Sequence, residues 1–268
     1  MDHQQVSDTW DRGAAYEQYV GRWSRLVAPP FLSWLNVPPG RRWLDVGCGT
    51  GALCAAIIDR CFPSAVAGIE PSEGFLEAAT GNLAGRASLS QGDATAIPLG
   101  EASVDVVVSG LVLNFVPDPR AAVLEMARVT GQDGTIAAYV WDYAGQMELL
   151  RFFWDAAVEL DSGAATLDEG VRFPLCRPDA LATLFASAGL EDIEGKAFDI
   201  STPFANFDDY WQPFLGGQGP APAYAMSLRE AARARLRDRL RERIPTRTDG
   251  SILLAARAWG IRASATAR

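Results

Sequence analysis

LDVGCGTGA, residues 44 to 52, joins an apolar run to a helical one. RRWLDV (41–46) reads as a buried strand, and Gly51 to about Arg60 as a helix. Gly47, Gly49 and Gly51 between them remove side chains where the backbone must turn sharply and where a ligand can approach it. Outward from this turn the same alternation continues. AVAGIE (65–70) is a second strand and SEGFLEAATGNL (72–83) a second helix. ASLSQGD (87–93) and VDVVVSG (104–110) are a third and a fourth strand, the latter apolar at nearly every position, as expected when both faces are covered. A helix over 118–129, stopped at Gly131, leads to a fifth strand at 134–141. Repeated strand-helix-strand units of this kind predict an α/β, doubly wound, mostly parallel sheet. Right-handed crossovers then gather the loops after the strands along one edge, where ligands collect.

Upstream, residues 12–36 are helical in character and broken at Pro29-Pro30, with Pro38-Pro39-Gly40 closing the segment. Downstream, amphipathic helices are expected at 147–160 and 178–188, and strands at 191–201 and 251–263. Between those strands lie the aromatic-rich FANFDDYWQPFLGGQGPAPAY and an Arg-rich helix from about Ser227 to Arg243. Its seven arginines are interleaved with Glu230, Asp238 and Glu242, which suits a solvated face laced with ion pairs. The expected organisation is one domain over 1–268. Residues 1–40 form a helical lid, 41–141 the ligand-binding core, 142–190 and 202–250 helical elaborations, and 251–263 the last strand.

Composition narrows the function. Hydrophobic residues make up 49% of the 268-residue chain and charged ones 21%, enough apolar surface for a sizeable core. The formal net charge of -9 argues against nucleic-acid or anionic-membrane binding, both of which need a positive field. No apolar run reaches transmembrane length and the first residues are polar, so a cytoplasmic protein is expected. Cys48, Cys54, Cys61 and Cys176 form no metal-binding spacing, and free thiols are expected. The single histidine is His3. A His-based triad, metal site or general base would have to rest on that one residue.

The glycine turn alone leaves several readings open. Gly47, Gly49 and Ala52 also satisfy the dinucleotide pattern Gly-x-Gly-x-x-Gly/Ala, and glycines often do no more than turn the chain. Glu70, at the end of the second strand, can accept hydrogen bonds from two ribose hydroxyls, a feature shared with nicotinamide enzymes. Three details favour an adenosyl amino acid over a dinucleotide. Asp45 stands where a dinucleotide fingerprint has an apolar residue, and a buried carboxylate must be hydrogen-bonded or face a cation. Gly92-Asp93-Ala94 follows the third strand, where a carboxylate can accept from an adenine amino group. LVLNFVPDP (111–119) carries the fourth strand into its helix.

Together, LDVGCGTG, Glu70, GDA and VVSGLVLNFVPDP resemble class I S-adenosylmethionine-dependent methyltransferases, specifically the type 11 small-molecule group. The likeness covers roughly residues 10–141, and ARAWGIRA resembles the fold's last, antiparallel strand. It implies a Rossmann-like seven-stranded sheet in the order 3-2-1-4-5-7-6 with helical lid insertions. It also implies a set of cofactor contacts. Asp45, Gly47, Cys48 and Gly49 would line the methionine and ribose, Glu70 would hold the ribose, and Pro71 and Ser72 would border the adenosine. Asp93 and Ala94 would face adenine, and Ser109, Gly110 and Leu111 would pass under the cofactor. YVGRWSR (19–25) resembles an N-terminal lid, in which Tyr19, Arg22 and Trp23 would cover the cofactor and Arg22 would pair with its carboxylate.

Many relatives carry His where this chain has Asn114, so no acid/base role is expected there. Methyl transfer needs alignment first and a base only if the acceptor must lose a proton early. Asp142, Tyr143, Asp208 and Asp209 are base candidates, each with a structural alternative. Phe115, Trp141, Tyr143, Phe153, Trp154, Tyr210, Trp211 and Phe214 can line an acceptor pocket or simply pack helices together. The reading is thus a methyltransferase using S-adenosylmethionine on a small-molecule acceptor, with no metal. Its alternatives are a nicotinamide-dependent oxidoreductase and a non-catalytic S-adenosylmethionine-binding protein. A recognisable Tyr-x-x-x-Lys relay, which would support the former, is missing from the sequence.

Overall fold

The computed structural model describes residues 17–216 and 219–265. His3 and the first part of the expected lid lie outside them. Seven strands form one sheet in the order β3-β2-β1-β4-β5-β7-β6. They are β1 (Arg42–Val46), β2 (Ala65–Glu70), β3 (Ser88–Gln91), β4 (Val104–Gly110), β5 (Thr130–Trp141), β6 (Glu191–Phe204) and β7 (Ile252–Ser264). β1 pairs in parallel with β2 and β4, β2 with β3, and β4 with β5, while β7 runs antiparallel to β5. The strand order that the resemblance implied is the one observed.

Contacts divide the chain into two compact units. The core unit comprises Ser24–Trp141, Leu175–Phe198 and the described residues from Ala258 on. Its interior is the strand run read from the sequence: Leu44, Val46, Val107, Val108, Ile136, Ala137 and Val140 are fully buried. Local chemistry places its helices. Ser72 caps Glu73–Leu83 by accepting from the Phe75 N–H. Asp118 caps Pro119–Val129 by accepting from the Ala121 N–H at 2.9 Å, with Pro119 in the first turn. The helix Pro178–Ser187, grouped by sequence with the elaborations, packs instead on Pro119–Val129 in this unit.

The second unit comprises the described residues up to Trp23, then Asp142–Pro174 and Asp199–Arg257. It is helical and aromatic. Phe153 and Phe214 stack with centroids 4.5 Å apart, and Tyr19 meets Phe214 edge-on at 5.5 Å. Tyr210 donates its hydroxyl to the Leu149 carbonyl at 2.9 Å. The Arg-rich helix forms as Glu230–Arg243, and its charges pair as its composition suggested: Arg239 with Glu242 and Glu159, Arg243 with Glu159, and Arg237 with Asp238.

Two boundaries differ from expectation. The helix Arg22–Leu35 continues across Pro29 and Pro30 instead of breaking there. The N–H groups those prolines lack would have served the carbonyls of Arg25 and Leu26, both exposed residues, where water can take their place. Ser33 in turn donates its hydroxyl to the Pro29 carbonyl at 2.9 Å. β5 starts at Thr130 rather than 134, because a register shift between Val104 and Val106 lets the pairing resume across the glycines.

Candidate active site

The crevice at the ends of β1, β2 and β4 is built largely from backbone. Gly47 and Cys48 both donate their N–H groups to the Ile69 carbonyl at 2.9 Å, fastening the loop after β1 to β2. Gly47 has φ +74°, and a Cβ there would lie 2.6 Å from both γ-methyls of Val112, so only glycine fits. Gly49 has φ +53°, and a Cβ there would meet nothing within 4 Å. The loop is therefore closed against the protein at Gly47 and open at Gly49.

Glu70 completes this loop. It is buried, and each carboxylate oxygen accepts one backbone N–H, from Gly49 and from Ser72, both at 3.0 Å. Burial raises its pKa, and the two amides pull it back. Each oxygen keeps a second lone pair for a ligand hydroxyl.

Asp45 is the last residue but one of β1, opposite Gly68 on one side and Val108 on the other. The Cys54 thiol donates to its Oδ2 at 3.3 Å, while Oδ1 is buried with no hydrogen-bond partner. Desolvation lifts its pKa to about 7, the thiol opposes this, and neighbouring Glu70 adds to it. A buried carboxylate with one unanswered oxygen fits a cationic ligand group.

The remaining expected contacts divide. Asp93 follows β3 at the surface, where its Oδ1 accepts from both the backbone N–H and the hydroxyl of Thr95 at 2.7 Å, holding its pKa low. Ala94 is half-buried beside it. Pro71 is exposed, with its carbonyl accepting from Gln91 at 3.0 Å. Ser109 is fully buried and donates to the Val46 carbonyl at 2.9 Å, tying β4 to β1. A Cβ on Gly110 would strike the Tyr139 hydroxyl at 2.6 Å, and Leu111, at φ +64°, donates its N–H to the Tyr139 carbonyl at 2.7 Å.

In the helical unit, Arg22 donates to Asp209 at 2.9 Å and lies over the Trp23 ring at 4.3 Å. Its expected service to a cofactor carboxylate thus has a rival in its own unit. The Tyr19 hydroxyl and the Trp23 indole N–H are buried with no hydrogen-bond partner. The candidate bases are largely engaged. Asp142 accepts the N–H groups of Gly145 and Gln146, Asp209 pairs with Arg22, and Asp208 reaches Arg241 at 3.7 Å. Tyr143 packs on Phe173 at 5.5 Å. Sequence reasoning missed two polar groups. Asn114 was set aside as a base, yet both its amide atoms are buried without partners. Glu169 carried no motif, and is buried in the helical unit. Among the described residues no cluster of His, Cys, Asp and Glu can hold a metal ion, and no helix is long and apolar enough to cross a membrane.

Comparison with known proteins identifies the family. The methyltransferase domain model matches residues 44–138. A malonyl-[acyl-carrier protein] O-methyltransferase of Geobacter sulfurreducens is 31% identical over 201 residues, spanning 72% of this chain and 73% of that one. A demethylmenaquinone methyltransferase of Geobacillus kaustophilus is 30% identical over 181 residues, spanning 61% and 76%. In fold, the chain is similar to Haemonchus contortus phosphoethanolamine N-methyltransferase 2 in complex with S-adenosyl-L-methionine, with a TM-score of 0.58 and 15% identity over 100% of this chain and 59% of that one. These comparisons lend no support to the nicotinamide reading. With its glycine loop, its strand-tip glutamate and its 3-2-1-4-5-7-6 sheet, the chain belongs to the class I S-adenosylmethionine-dependent methyltransferases.

Proposed function

We propose that this methyltransferase holds S-adenosylmethionine through Asp45, the Gly47–Gly49 backbone and Glu70, and methylates a small molecule without a histidine or metal base. The observation that carries the binding site is Glu70, fixed by the Gly49 and Ser72 amides so that its free lone pairs are oriented before any ligand arrives. When bound, the cofactor supplies an electrophilic sulfonium methyl. Asp45 offers a carboxylate to the ammonium of its methionine part. Gly49 leaves room for close backbone approach. Asp93 and Ala94 border the adenine side, with Asp93 Oδ1 braced by Thr95. Ser109 acts from below by locking β4 to β1. The chain's contribution to rate is alignment and exclusion of water, which can supply much of the acceleration when the reacting atoms are held in line.

Calorimetric titration with S-adenosylmethionine, S-adenosylhomocysteine and NAD tests the cofactor assignment. Binding of the first two and not the third is expected, and the reverse order overturns it. A radiolabelled-methyl screen over small-molecule pools tests turnover.

A further inference from the structure

Three helices of the second unit meet around an opening. Glu148–Leu160 packs on Glu230–Arg243, and Pro220–Ser227 packs on Glu148–Leu160. Beside the last turn of Glu148–Leu160 they leave a cleft of about 370 Å³, a size that suits a small molecule. Leu160, Tyr224, Leu228 and Leu236 give it apolar walls, and Asp161 and Arg235 are its two charges. Tyr224 and Leu236 are buried, whereas Leu160 is 37% exposed, so part of the apolar wall faces water. Burial, and after it the Asp161 charge, push the Tyr224 phenol up to about 12, so that ring stays neutral.

The two charges stand apart from those around them. Along Glu230–Arg243, Arg233 meets the Met226 sulfur at 3.8 Å, Arg237 pairs with Asp238, Arg239 and Arg243 with Glu159, and Arg241 with Asp208. Among the described residues, Arg235 is the arginine of this helix that has no hydrogen bond, ion pair or ring contact. Asp161 follows the facing helix, and its Oδ1 accepts the Gly163 N–H at 3.0 Å, capping the turn Ser162–Leu167. Among the described residues it pairs with no cation. Opposite charges therefore line one cleft without meeting.

We propose that this cleft binds an apolar zwitterion of the amino-acid type. Its ammonium donates to Asp161, its carboxylate accepts from the Arg235 guanidinium, and its side chain lies against Leu160, Leu228 and Leu236. A ligand with a single charge leaves one of the two residues unanswered and brings its own charge near a like one, so both charges are needed. The site lies within the helical unit and does not rest on the methyl-transfer reading.

The test is calorimetric titration of L-tryptophan, tryptamine and 3-indolepropionate into the full chain, with and without saturating S-adenosylhomocysteine. Tryptophan should bind in both conditions, about 10-fold more tightly than either analogue. Arg235→Gln, at an exposed position, should cost tryptophan and indolepropionate about 10-fold and leave tryptamine unaltered. Asp161→Asn keeps a capping oxygen, and should cost tryptophan and tryptamine about 10-fold and leave indolepropionate unaltered. Ala232→Trp, which fills the cleft from its half-buried wall, should remove binding of all three. S-adenosylhomocysteine affinity should stay unchanged in every variant. Absence of tryptophan binding, binding that S-adenosylhomocysteine displaces, analogues that bind as tightly as tryptophan, or affinities indifferent to the variants overturn the site. A wild-type chain that fails to bind S-adenosylhomocysteine instead overturns the methyl-transfer reading, and the titrations without it still judge the cleft.

Discussion

Glu70 and Glu169 are buried glutamates in two units of one chain, and they are held by different chemistry. Both oxygens of Glu70 rest on backbone amides from the loops after β1 and β2. Glu169 rests on the indole of Trp154, fifteen residues away, as well as on a backbone N–H of its own residue. A backbone-built site needs only glycines and a strand end, so it leaves a local pattern in the sequence. A site built from side chains depends on which helix brings which ring, and leaves no local pattern. The backbone-held acid therefore shows in the sequence as a pattern, while the acid of the helical unit does not.

The sharpest way to break this comparison is to remove the carboxylate of the crevice. Glu70→Ala should weaken S-adenosylhomocysteine binding on the order of 100-fold or more, since it removes charge-assisted acceptors and frees the loop. Isothermal calorimetry measures it, and a loss under about 3-fold would mean that the glutamate only braces the loop.

Next come the glycines, which separate folding from binding. Gly47→Ala puts a methyl against Val112 and should cost about 1–3 kcal/mol of stability in urea unfolding. Gly49→Ala enters open space, so it should cost about 1 kcal/mol of backbone strain and show its larger effect in cofactor affinity. Equal stability losses at the two positions would contradict the closed and open faces assigned to the loop.

Asp45 sharpens the comparison through pH. Its pKa is raised to about 7, so the folded chain keeps a proton that the unfolded chain releases. The stability from this group is full below about pH 4 and is lost as pH climbs toward about 7. Asp45→Asn should therefore gain stability relative to wild type at pH 8 and not at pH 4, measured by thermal unfolding. An ammonium beside Asp45 reverses the preference. Cofactor binding below about pH 7 should then release a proton, seen as a dependence of binding heat on buffer ionisation enthalpy, and Asp45→Asn should abolish the release.

The smallest effect belongs to the helical unit's partly exposed ion pair. Asp209→Asn should lower stability by less than about 1 kcal/mol, because the pair with Arg22 is about a third exposed. A larger loss would show that Arg22 is fixed more firmly than an exposed pair allows.

The same division explains what the sequence made legible. β4 has the expected limits, 104–110, because every residue of a strand covered on both faces speaks for it. LDVGCGTGA and Glu70 were readable because the turn demands glycine and an acid closes the second strand. The unbroken helix through Pro29-Pro30 was not readable, since it turns on which carbonyls face water. Asp93 was legible as a position, and its engagement with Thr95 was not. Glu169 in LDEGVRF looks like part of an acidic turn. Its burial is set by Trp154 and the rings around it, contacts that no local pattern encodes. The aromatic residues offered as pocket candidates are buried except for Phe115, and their division between packing and binding rests on three-dimensional neighbours.

The central claim is that the crevice binds an adenosyl thioether through Glu70 and the glycine loop. Calorimetry of S-adenosylhomocysteine against wild type and Glu70→Ala, each checked for folding by circular dichroism, tests it most directly. The account predicts saturable one-to-one binding by the wild type and its near-complete loss in the variant. A wild-type chain that gives no heat, or a folded variant that binds equally well, would contradict it.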